Sequence, residues 1–441
     1  MNYVQNFAQN VWWLLVLIGI MILIHELGHY WAARLFDVRV EAFSFGFGPR
    51  LFGFRKGETD FRFSAILFGG YVKMAGEQPG EEGANDPRSF SAKPRWQRLV
   101  IAAAGPSMNI LLAVGLLTGL FMVRYPRVAN YNAPATIGYI QKGSPADNAG
   151  LREGDRIVQI DNHTNPIWED VMFETVTNVN KPILVSVDRN GQRFNTTLTT
   201  IADEKSGLGS AGWDEQNDVQ IGGILSGMDA EKVGLKRGDI LVSLNGQPVR
   251  SISRLHELVR SSEGKPVEVT YSRDGQQKAV TIHPAFSNLE AGGGRWMIGV
   301  QLDPRVVITQ LSFPEALRES AKQNVKGASL IYQFLRGIVE RRMSPKSLEG
   351  PIRIAQLSGD AARQGPTAFI ELMTMVSLNL AIFNLLPIPI LDGGMILMLL
   401  VEMFMRRDLS APVKEAVLKV GMVFLMVVVV FVLYNDLSKI L

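Results

Sequence analysis

The sequence His25-Glu26-Leu27-Gly28-His29, at the end of an uncharged apolar run, constrains this chain more than any other feature. On a helix, histidines four residues apart lie one turn apart on the same face, a spacing that suits two ligands of one zinc ion. Glu26 lies beside them, where its carboxylate can take a proton from water. Residues 11–24 carry no charge, and a helix continued to Phe36 could cross a bilayer about 30 Å thick. The pattern therefore predicts a zinc site at membrane depth.

Two other interpretations of this segment are less favoured. The histidines could be structural, but ionisable residues inside a membrane are costly and usually functional. The segment could be a removed signal peptide, but residues 1–10 contain no Lys or Arg, and no small-residue cleavage site follows the apolar run. We therefore expect a retained membrane helix that carries a metal site.

The composition is typical of a membrane protein with a soluble insert. The chain has 441 residues, of which 47% are hydrophobic, and the apolar residues occur in blocks. A net charge of +3 is too small to indicate nucleic acid as a partner. The absence of cysteine excludes disulfides and cysteine-ligated zinc.

Four segments are predicted to span the bilayer: 1–36, 99–124, 366–394 and 415–436. The stretch 34–98 contains eleven Lys or Arg, whereas residues 1–10 contain none, so the positive-inside rule places 37–98 in the cytoplasm. The second span then delivers the following soluble region to the outer side. The fold class is therefore a four-helix membrane protein with a cytoplasmic-side β-hairpin region and an extracytoplasmic insert.

The insert contains an internal repeat. The sequence Gly-Leu-x-x-Gly-Asp at 150–155 recurs at 234–239, and Asn190-Gly191 is matched at the same offset by Asp274-Gly275. Asn-Gly and Asp-Gly pairs favour hairpin turns between strands. A Gly-Leu-x-x-Gly-Asp loop followed by an apolar strand resembles PDZ domains, so we expect two tandem α+β PDZ domains, at 127–218 and 219–308.

Two further regions leave alternatives open. Alternating apolar residues and glycines in 37–98 predict a β-hairpin beside the first span, which could be an ordinary cytoplasmic hairpin or one that dips into the membrane. The stretch 309–365 has helical amphipathic spacing, and could lie on the outer membrane surface or simply link domains.

A catalytic zinc needs a third protein ligand. Glu371, Asp392 and Glu402 are the candidates near the third span. Asp392 follows a Pro-x-Pro sequence and precedes two glycines, and broken helices at membrane depth are tolerated where they line a cavity. We therefore favour Asp392, whereas Glu371 lies too far towards the outer side.

These motifs together resemble the site-2 proteases, a family of intramembrane zinc metalloproteases. The resemblance is carried by the His-Glu-x-x-His sequence, the glycine-rich segments 45–49 and 68–74, Ala-Ala-Gly-Pro-x-x-Asn at 103–109, the two PDZ-like repeats and the segment 384–394. It covers essentially the whole chain. It implies that zinc is held by His25, His29 and Asp392, and that Glu26 is the catalytic acid/base.

The resemblance also implies a substrate site. The segment around 61–73 corresponds to a strand that enters the membrane and pairs with an unwound substrate by β-augmentation, because a helical substrate hides its carbonyl groups in its own hydrogen bonds. Asn384 corresponds to a residue that binds substrate beside the zinc. The expected substrate contacts are Asn384, Pro387, Pro389, Phe61 and Phe63.

The implied activity is cleavage within or near the membrane segment of single-span proteins. In the bacterial branch of the family, the substrates are a trimmed anti-sigma factor of an envelope-stress pathway and remnant signal peptides. The implied location is the bacterial inner membrane, with the PDZ domains in the periplasm and the active site towards the cytoplasmic side. The alternative is a non-catalytic membrane scaffold whose PDZ domains bind protein termini. A metal transporter would need more spans and a polar path across them.

Overall fold

The computed structural model describes residues 3–77, 86–123, 125–128, 132–203, 207–287, 294–341 and 350–440. The chain forms two compact units. The helical unit comprises Met1–Tyr125, Gln310–Tyr332 and Leu348–Leu441, and the insert unit comprises Pro126–Thr309 and Gln333–Ser347.

The helices are α1 (Tyr3–Leu35), α2 (Arg95–Met122), α3 (Pro145–Asn148), α4 (Trp168–Thr177), α5 (Asp229–Lys232), α6 (Ile252–Ser261), α7 (Phe313–Val339), α8 (Pro351–Gln364), α9 (Pro366–Asn384), α10 (Asp392–Met405) and α11 (Ala411–Ile440). The strands of the helical unit and of the first part of the insert are β1 (Val40–Lys56), β2 (Thr59–Met74), β3 (Tyr125–Val128), β4 (Ile137–Ile140), β5 (Arg156–Ile160), β6 (His163–Thr164), β7 (Pro182–Arg189), β8 (Gln192–Thr199), β9 (Ile201–Ala202), β10 (Gly209–Ser210) and β11 (Trp213–Glu215). The remaining strands are β12 (Val219–Ile224), β13 (Ile240–Leu244), β14 (Gln247–Pro248), β15 (Val267–Arg273), β16 (Gln276–Ile282), β17 (Ala285–Ser287), β18 (Arg295–Met297), β19 (Val300–Pro304) and β20 (Val306–Thr309).

In the part of the chain that the structure describes, four helices are long and apolar enough to cross a membrane. They are Gln5–Leu35, Arg95–Met122, Pro366–Asn384 and Ala411–Ser438. The third predicted segment, 366–394, is not continuous: α9 ends at Asn384, and α10 begins at Asp392. Proline lacks a backbone N–H, so Pro387 and Pro389 cannot extend the helical hydrogen-bond ladder. The helix α10 that follows this break was not predicted from the sequence.

The strands β1 and β2 form a hairpin beside α1, with Lys56 paired to Thr59 at its turn. The hairpin folds back on itself, so 42–45 of β1 pairs with 70–73 of β2 on one side and with 60–63 on the other. A buried apolar cluster joins the base of the hairpin to α1 and α2. Its members are Ala32, Ala33, Val38, Val40, Phe43, Val72, Met74, Phe90 and Ile101. The hairpin is thereby fixed against the helix that carries His25.

The insert unit has two separate apolar cores. One is formed by residues between Ala135 and Trp213, and the other by residues between Val219 and Val300. The sheet of the second core has the strand order β16-β15-β13-β12-β19, and that of the first has the order β6-β5-β7-β8. The cores fall within 127–218 and 219–308, which we call the first and second insert domains.

The two copies of the sequence repeat contain the same arginine–aspartate contact. In the first insert domain, Arg189 binds the Asp155 carboxylate at 2.8 Å and the Gly150 carbonyl oxygen at 2.8 Å. In the second, Arg273 binds the Asp239 carboxylate at 2.7 Å and the Gly234 carbonyl oxygen at 2.8 Å. The two Gly-Leu-x-x-Gly-Asp loops are thus held by the same interaction. That both domains are PDZ domains stays a prediction.

The charge of Asp239 is maintained despite its burial. Burial alone would raise the pKa of this carboxyl group, but hydrogen bonds from the Arg273 guanidinium and the Lys236 backbone N–H hold it below its usual value. The repeated aspartate therefore serves to fix its own loop.

The region 309–365 contains α7 and α8, separated by 342–349, which lie outside the described residues. The start of α8 is capped by α11, because the Asp436 carboxylate accepts hydrogen bonds from the backbone N–H groups of Gly350 at 2.8 Å and Ile352 at 3.0 Å. A carboxylate at a helix N-terminus satisfies N–H groups that have no partner within the helix. Whether α7 and α8 lie on the membrane surface stays a prediction.

Candidate metal centre

The two histidines and Glu26 lie on α1 where this helix approaches α2 closely. A Cβ atom added at Gly28 would lie 2.4 Å from the carbonyl oxygen of Ala104, so only glycine allows this approach. His25 and His29 are 7% and 8% exposed. The spacing of the sequence motif therefore places both imidazoles in the interior between α1 and α2.

Asp392 reaches the histidines because the chain breaks before α10. It is the first residue of α10, directly after the turn formed by 385–391. A Cβ atom at Gly393 would lie 2.2 Å from the Leu386 carbonyl oxygen, and one at Gly394 would lie 2.2 Å from that of Ile388. The two glycines thus let the start of α10 pack against the preceding turn.

The three side chains converge on one point. His25 Nε2 lies 3.1 Å from Asp392 Oδ2, His29 Nε2 lies 3.4 Å from Asp392 Oδ1, and the two Nε2 atoms are 3.2 Å apart. Among the described residues, these three form the one group of metal-binding side chains whose ligand atoms all lie within 4.8 Å of one another. Two neutral imidazoles and a carboxylate match the donor set of a catalytic zinc site.

The space beside the three ligands is kept open by α2. A Cβ atom at Gly105 would lie 2.3 Å from His29 Nε2 and 2.8 Å from His25 Nε2. Any side chain at this position would fill the space next to the ligand atoms of His25, His29 and Asp392, which we call the metal cradle. The residues present therefore fit a metal ion of the size of zinc.

The outward nitrogen of each imidazole also has a partner on α2. His29 Nδ1 lies 2.8 Å from the carbonyl oxygen of Ile101, and His25 Nδ1 lies 3.2 Å from Asn109 Nδ2. Contacts of this kind orient metal-binding histidines and fix which nitrogen carries the proton. Both partners come from 101–109, a segment that overlaps the Ala-Ala-Gly-Pro-x-x-Asn motif.

Glu26 and strand β2 complete a cavity of about 170 Å³ at the three ligands. Its lining residues are His25, Glu26, His29, Gly70, Tyr71, Val72, Met74, Glu77, Ile101, Ala102, Asp392 and Met395. Glu26 and Val72 of β2 both line this cavity. A Cβ atom at Gly70 would lie 3.2 Å from Glu26 Cγ, so glycine allows the strand to approach the carboxylate. The site thus combines a metal cradle, a carboxylate and a strand.

The two other candidate third ligands lie elsewhere. Glu402 is buried, and its carboxylate contacts Lys414 Nζ at 2.7 Å and Arg98 Nη2 at 3.6 Å. It is ten residues after Asp392 on α10, about 15 Å along the helix axis. Glu371 is exposed on α9. Asp392 is therefore the candidate that the fold brings to the histidines.

The predicted contacts Phe61 and Phe63 do not lie at a free strand edge. Phe61 pairs with both Phe43 and Phe54, and Phe63 pairs with both Phe45 and Phe52. Both backbone edges of this segment are used within the hairpin, so Phe61 and Phe63 offer no free backbone edge, and their role as substrate contacts stays a prediction.

The free edge that borders the cavity belongs to the later part of β2, whereas 52–55 of β1 forms the opposite outer edge of the hairpin. Residues 70–73 pair with 42–45 on one side, and no other strand in the described ranges pairs with them. Gly70, Tyr71 and Val72 also line the cavity. The segment predicted to pair with substrate, 61–73, includes this edge, but Gly70, Tyr71 and Val72 were not among the predicted contact residues.

The predicted substrate contacts Asn384, Pro387 and Pro389 surround the helix break rather than the cavity. Asn384 is the last residue of α9, and both prolines lie in the turn before α10. None of the three is among the residues that line the cavity. Sequence reasoning also missed Gly105 and Asn109, although both belong to the motif at 103–109.

The family model of peptidase family M50 matches residues 13–428 of this chain. A Xylella fastidiosa protein named "Putative zinc metalloprotease" is 31% identical, over 98% of this chain and 99% of its own length. Regulator of sigma-E protease RseP of Salmonella typhimurium is 30% identical, over 96% of this chain and 97% of its own length. Both similarities extend over nearly the full length of each protein.

The chain also has local similarity to a solved PDZ-domain structure. The PDZ domain of an SdrC-like protein from Listeria monocytogenes is 20% identical and covers 20% of this chain and 87% of its own, with a TM-score of 0.17. That score is too low to support a fold assignment.

Proposed function

The chain belongs to peptidase family M50, the site-2 protease family of zinc metalloproteases, and from this membership we propose that it is an intramembrane zinc endopeptidase. The observation that carries the proposal is the convergence of His25, His29 and Asp392 beside Glu26, in a chain whose described residues include four helices able to cross a membrane. Ionisable groups at membrane depth are expensive and mark functional sites.

His25, His29 and Asp392 would hold the zinc, with Gly105 leaving room for it. A bound zinc would supply Lewis acidity, which acidifies water and polarises a scissile carbonyl group. Three protein ligands leave a coordination position open, as a hydrolytic site requires.

Glu26 acts as the general base and then as the general acid. Its carboxylate lines the same cavity as the three ligands, so it can take a proton from the attacking water and return it to the leaving amide nitrogen. Such a group contributes about 10²–10⁴-fold to the rate.

The strand edge 70–73 would hold the substrate backbone. A transmembrane helix hides its carbonyl groups in its own hydrogen bonds, so it must unwind before water can attack. An extended peptide can add to a free strand edge through backbone hydrogen bonds. The shared cavity of Glu26, Gly70, Tyr71 and Val72 supports this assignment, because it places the free edge beside the general base.

The finer assignments rest on charge distribution and on the family. We place the protein in the bacterial inner membrane, with the active site towards the cytoplasm and the two insert domains, as PDZ domains, in the periplasm. Its substrates are single-span membrane proteins: a trimmed anti-sigma factor in a stress response, and remnant signal peptides. Asn384, Pro387 and Pro389 remain proposed contacts of the substrate near the helix break.

Two measurements test the proposal. The purified full-length chain should bind one zinc ion and cleave a single-span reporter protein within its membrane segment, as mapped by mass spectrometry of the products. Membrane proteins that accumulate in cells carrying Glu26→Gln, but not in cells carrying the unmodified chain, would identify the native substrates. A chain that binds no zinc and cleaves no reporter would favour a non-catalytic PDZ-bearing scaffold.

A further inference from the structure

Asn109 is a buried polar residue that the proposed reaction does not use. Its side chain is 0% exposed within α2, and its amide nitrogen lies 3.2 Å from His25 Nδ1. Among the described residues, its amide oxygen has no hydrogen-bond partner. Burying an amide is costly unless it is hydrogen-bonded, so this residue needs a physical explanation.

The chemistry of His25 supplies one. His25 Nε2 faces Asp392 and His29, so Nε2 is the nitrogen that would bind a metal. A neutral imidazole that binds metal through Nε2 carries its proton on Nδ1, and that N–H needs an acceptor. His29 has the same requirement, and its Nδ1 faces the carbonyl oxygen of Ile101.

We infer that Asn109 is a positioning residue for the metal centre, because its amide oxygen accepts the hydrogen bond from His25 Nδ1–H when His25 binds zinc. The amide can donate a hydrogen bond through Nδ2 or accept one through Oδ1. Rotating the amide group by half a turn exchanges these two atoms, so Oδ1 can face the Nδ1–H of His25. The hydrogen bond orients the imidazole and increases the basicity of its metal-binding nitrogen. The role rests on the proposed zinc centre.

The backbone of Asn109 is held independently of its side chain. Ser377 Oγ on α9 donates a 2.9 Å hydrogen bond to the Asn109 carbonyl oxygen. This contact connects α2 to α9 but does not touch His25. Ser377→Ala therefore provides a control that perturbs the packing around Asn109 and leaves the amide in place.

The test compares three variants of the full-length chain in detergent. Asn109→Leu keeps the number and branching of the side-chain heavy atoms but cannot accept a hydrogen bond, whereas Asn109→Asp provides carboxylate acceptors. Zinc affinity is measured by equilibrium competition with a chelator of known affinity. We expect Asn109→Leu to bind zinc about 10–100-fold more weakly, since loss of a residue that orients a metal ligand has an effect of this size. Asn109→Asp and Ser377→Ala should stay within a few-fold of the unmodified chain.

Each outcome has a defined meaning. Weakened affinity in Asn109→Leu together with near-normal affinity in Asn109→Asp supports an acceptor role, because both side chains keep the branched shape of Asn and only Asp retains acceptor oxygens. Equal weakening in Asn109→Leu and Asn109→Asp, or unchanged affinity in Asn109→Leu, would overturn it. Failure of the unmodified chain to bind zinc would refute the proposed function itself, and so the two failures are distinguishable.

Discussion

Gly105→Ala should weaken zinc binding without unfolding the chain. The added Cβ would lie 2.3 Å from His29 Nε2 and 2.8 Å from His25 Nε2, closer than non-bonded atoms approach. The imidazoles must therefore move, and overpacking of this kind costs about 1–3 kcal/mol. Since about 1.4 kcal/mol corresponds to a tenfold change in affinity, zinc should bind roughly 5- to 150-fold more weakly.

The same helix offers a matched control. A Cβ atom at Gly115 would meet nothing within 4 Å, so Gly115→Ala makes the same chemical change on α2 without a clash. Both substitutions improve helix propensity by about 0.8–1.0 kcal/mol, so neither should lower stability through the helix itself. The assay is chelator competition on purified full-length protein, with thermal unfolding as the check on folding. Equal zinc affinity in the two variants would refute the argument that Gly105 keeps the cradle open.

Three further predictions concern the other parts of the site and the insert. Asp392→Ala should lose zinc because two histidines alone hold the metal poorly, whereas Glu402→Gln should keep it. Metal analysis that finds zinc in Asp392→Ala but not in Glu402→Gln would identify Glu402 as the third ligand. Val72→Pro should impair cleavage and keep zinc, since proline removes an N–H from the free strand edge; unchanged cleavage by a folded variant would exclude pairing there. Replacing 127–308 with a short linker should permit cleavage of untrimmed substrates in addition to trimmed ones, and continued rejection of every untrimmed substrate by a folded, zinc-binding variant would place the filter elsewhere.

Local sequence patterns predict those features of the fold and the site that are determined by residues close together in the chain. The spacing of His25 and His29 specifies one helix face, whatever surrounds it. The Gly-Leu-x-x-Gly-Asp repeat likewise marks two copies of one loop, and the structure gives both the same arginine–aspartate contact. Proline chemistry indicated a broken helix before Asp392.

Other features depend on contacts between distant segments. Phe61 alternates with polar residues, which is typical of a strand at any position in a sheet. It lies between two paired segments because the hairpin folds back on itself, and the local sequence does not show this fold-back. Asn109 meets His25 across 84 residues because α1 and α2 approach at Gly28. The helix α10 was missed because the apolar residues after Gly394 follow two helix breakers, and periodicity does not identify a short helix in a segment that is apolar on every face.

The most direct test of the proposed mechanism is the zinc content and turnover of purified Glu26→Gln. The carboxylate is proposed to move protons and not to bind the metal, so this variant should contain as much zinc per chain as the unmodified protein. Its rate of cleavage of a single-span reporter should fall by about 10²–10⁴-fold. Normal zinc content together with near-normal turnover would contradict the account, because Glu26 would then have no part in the reaction.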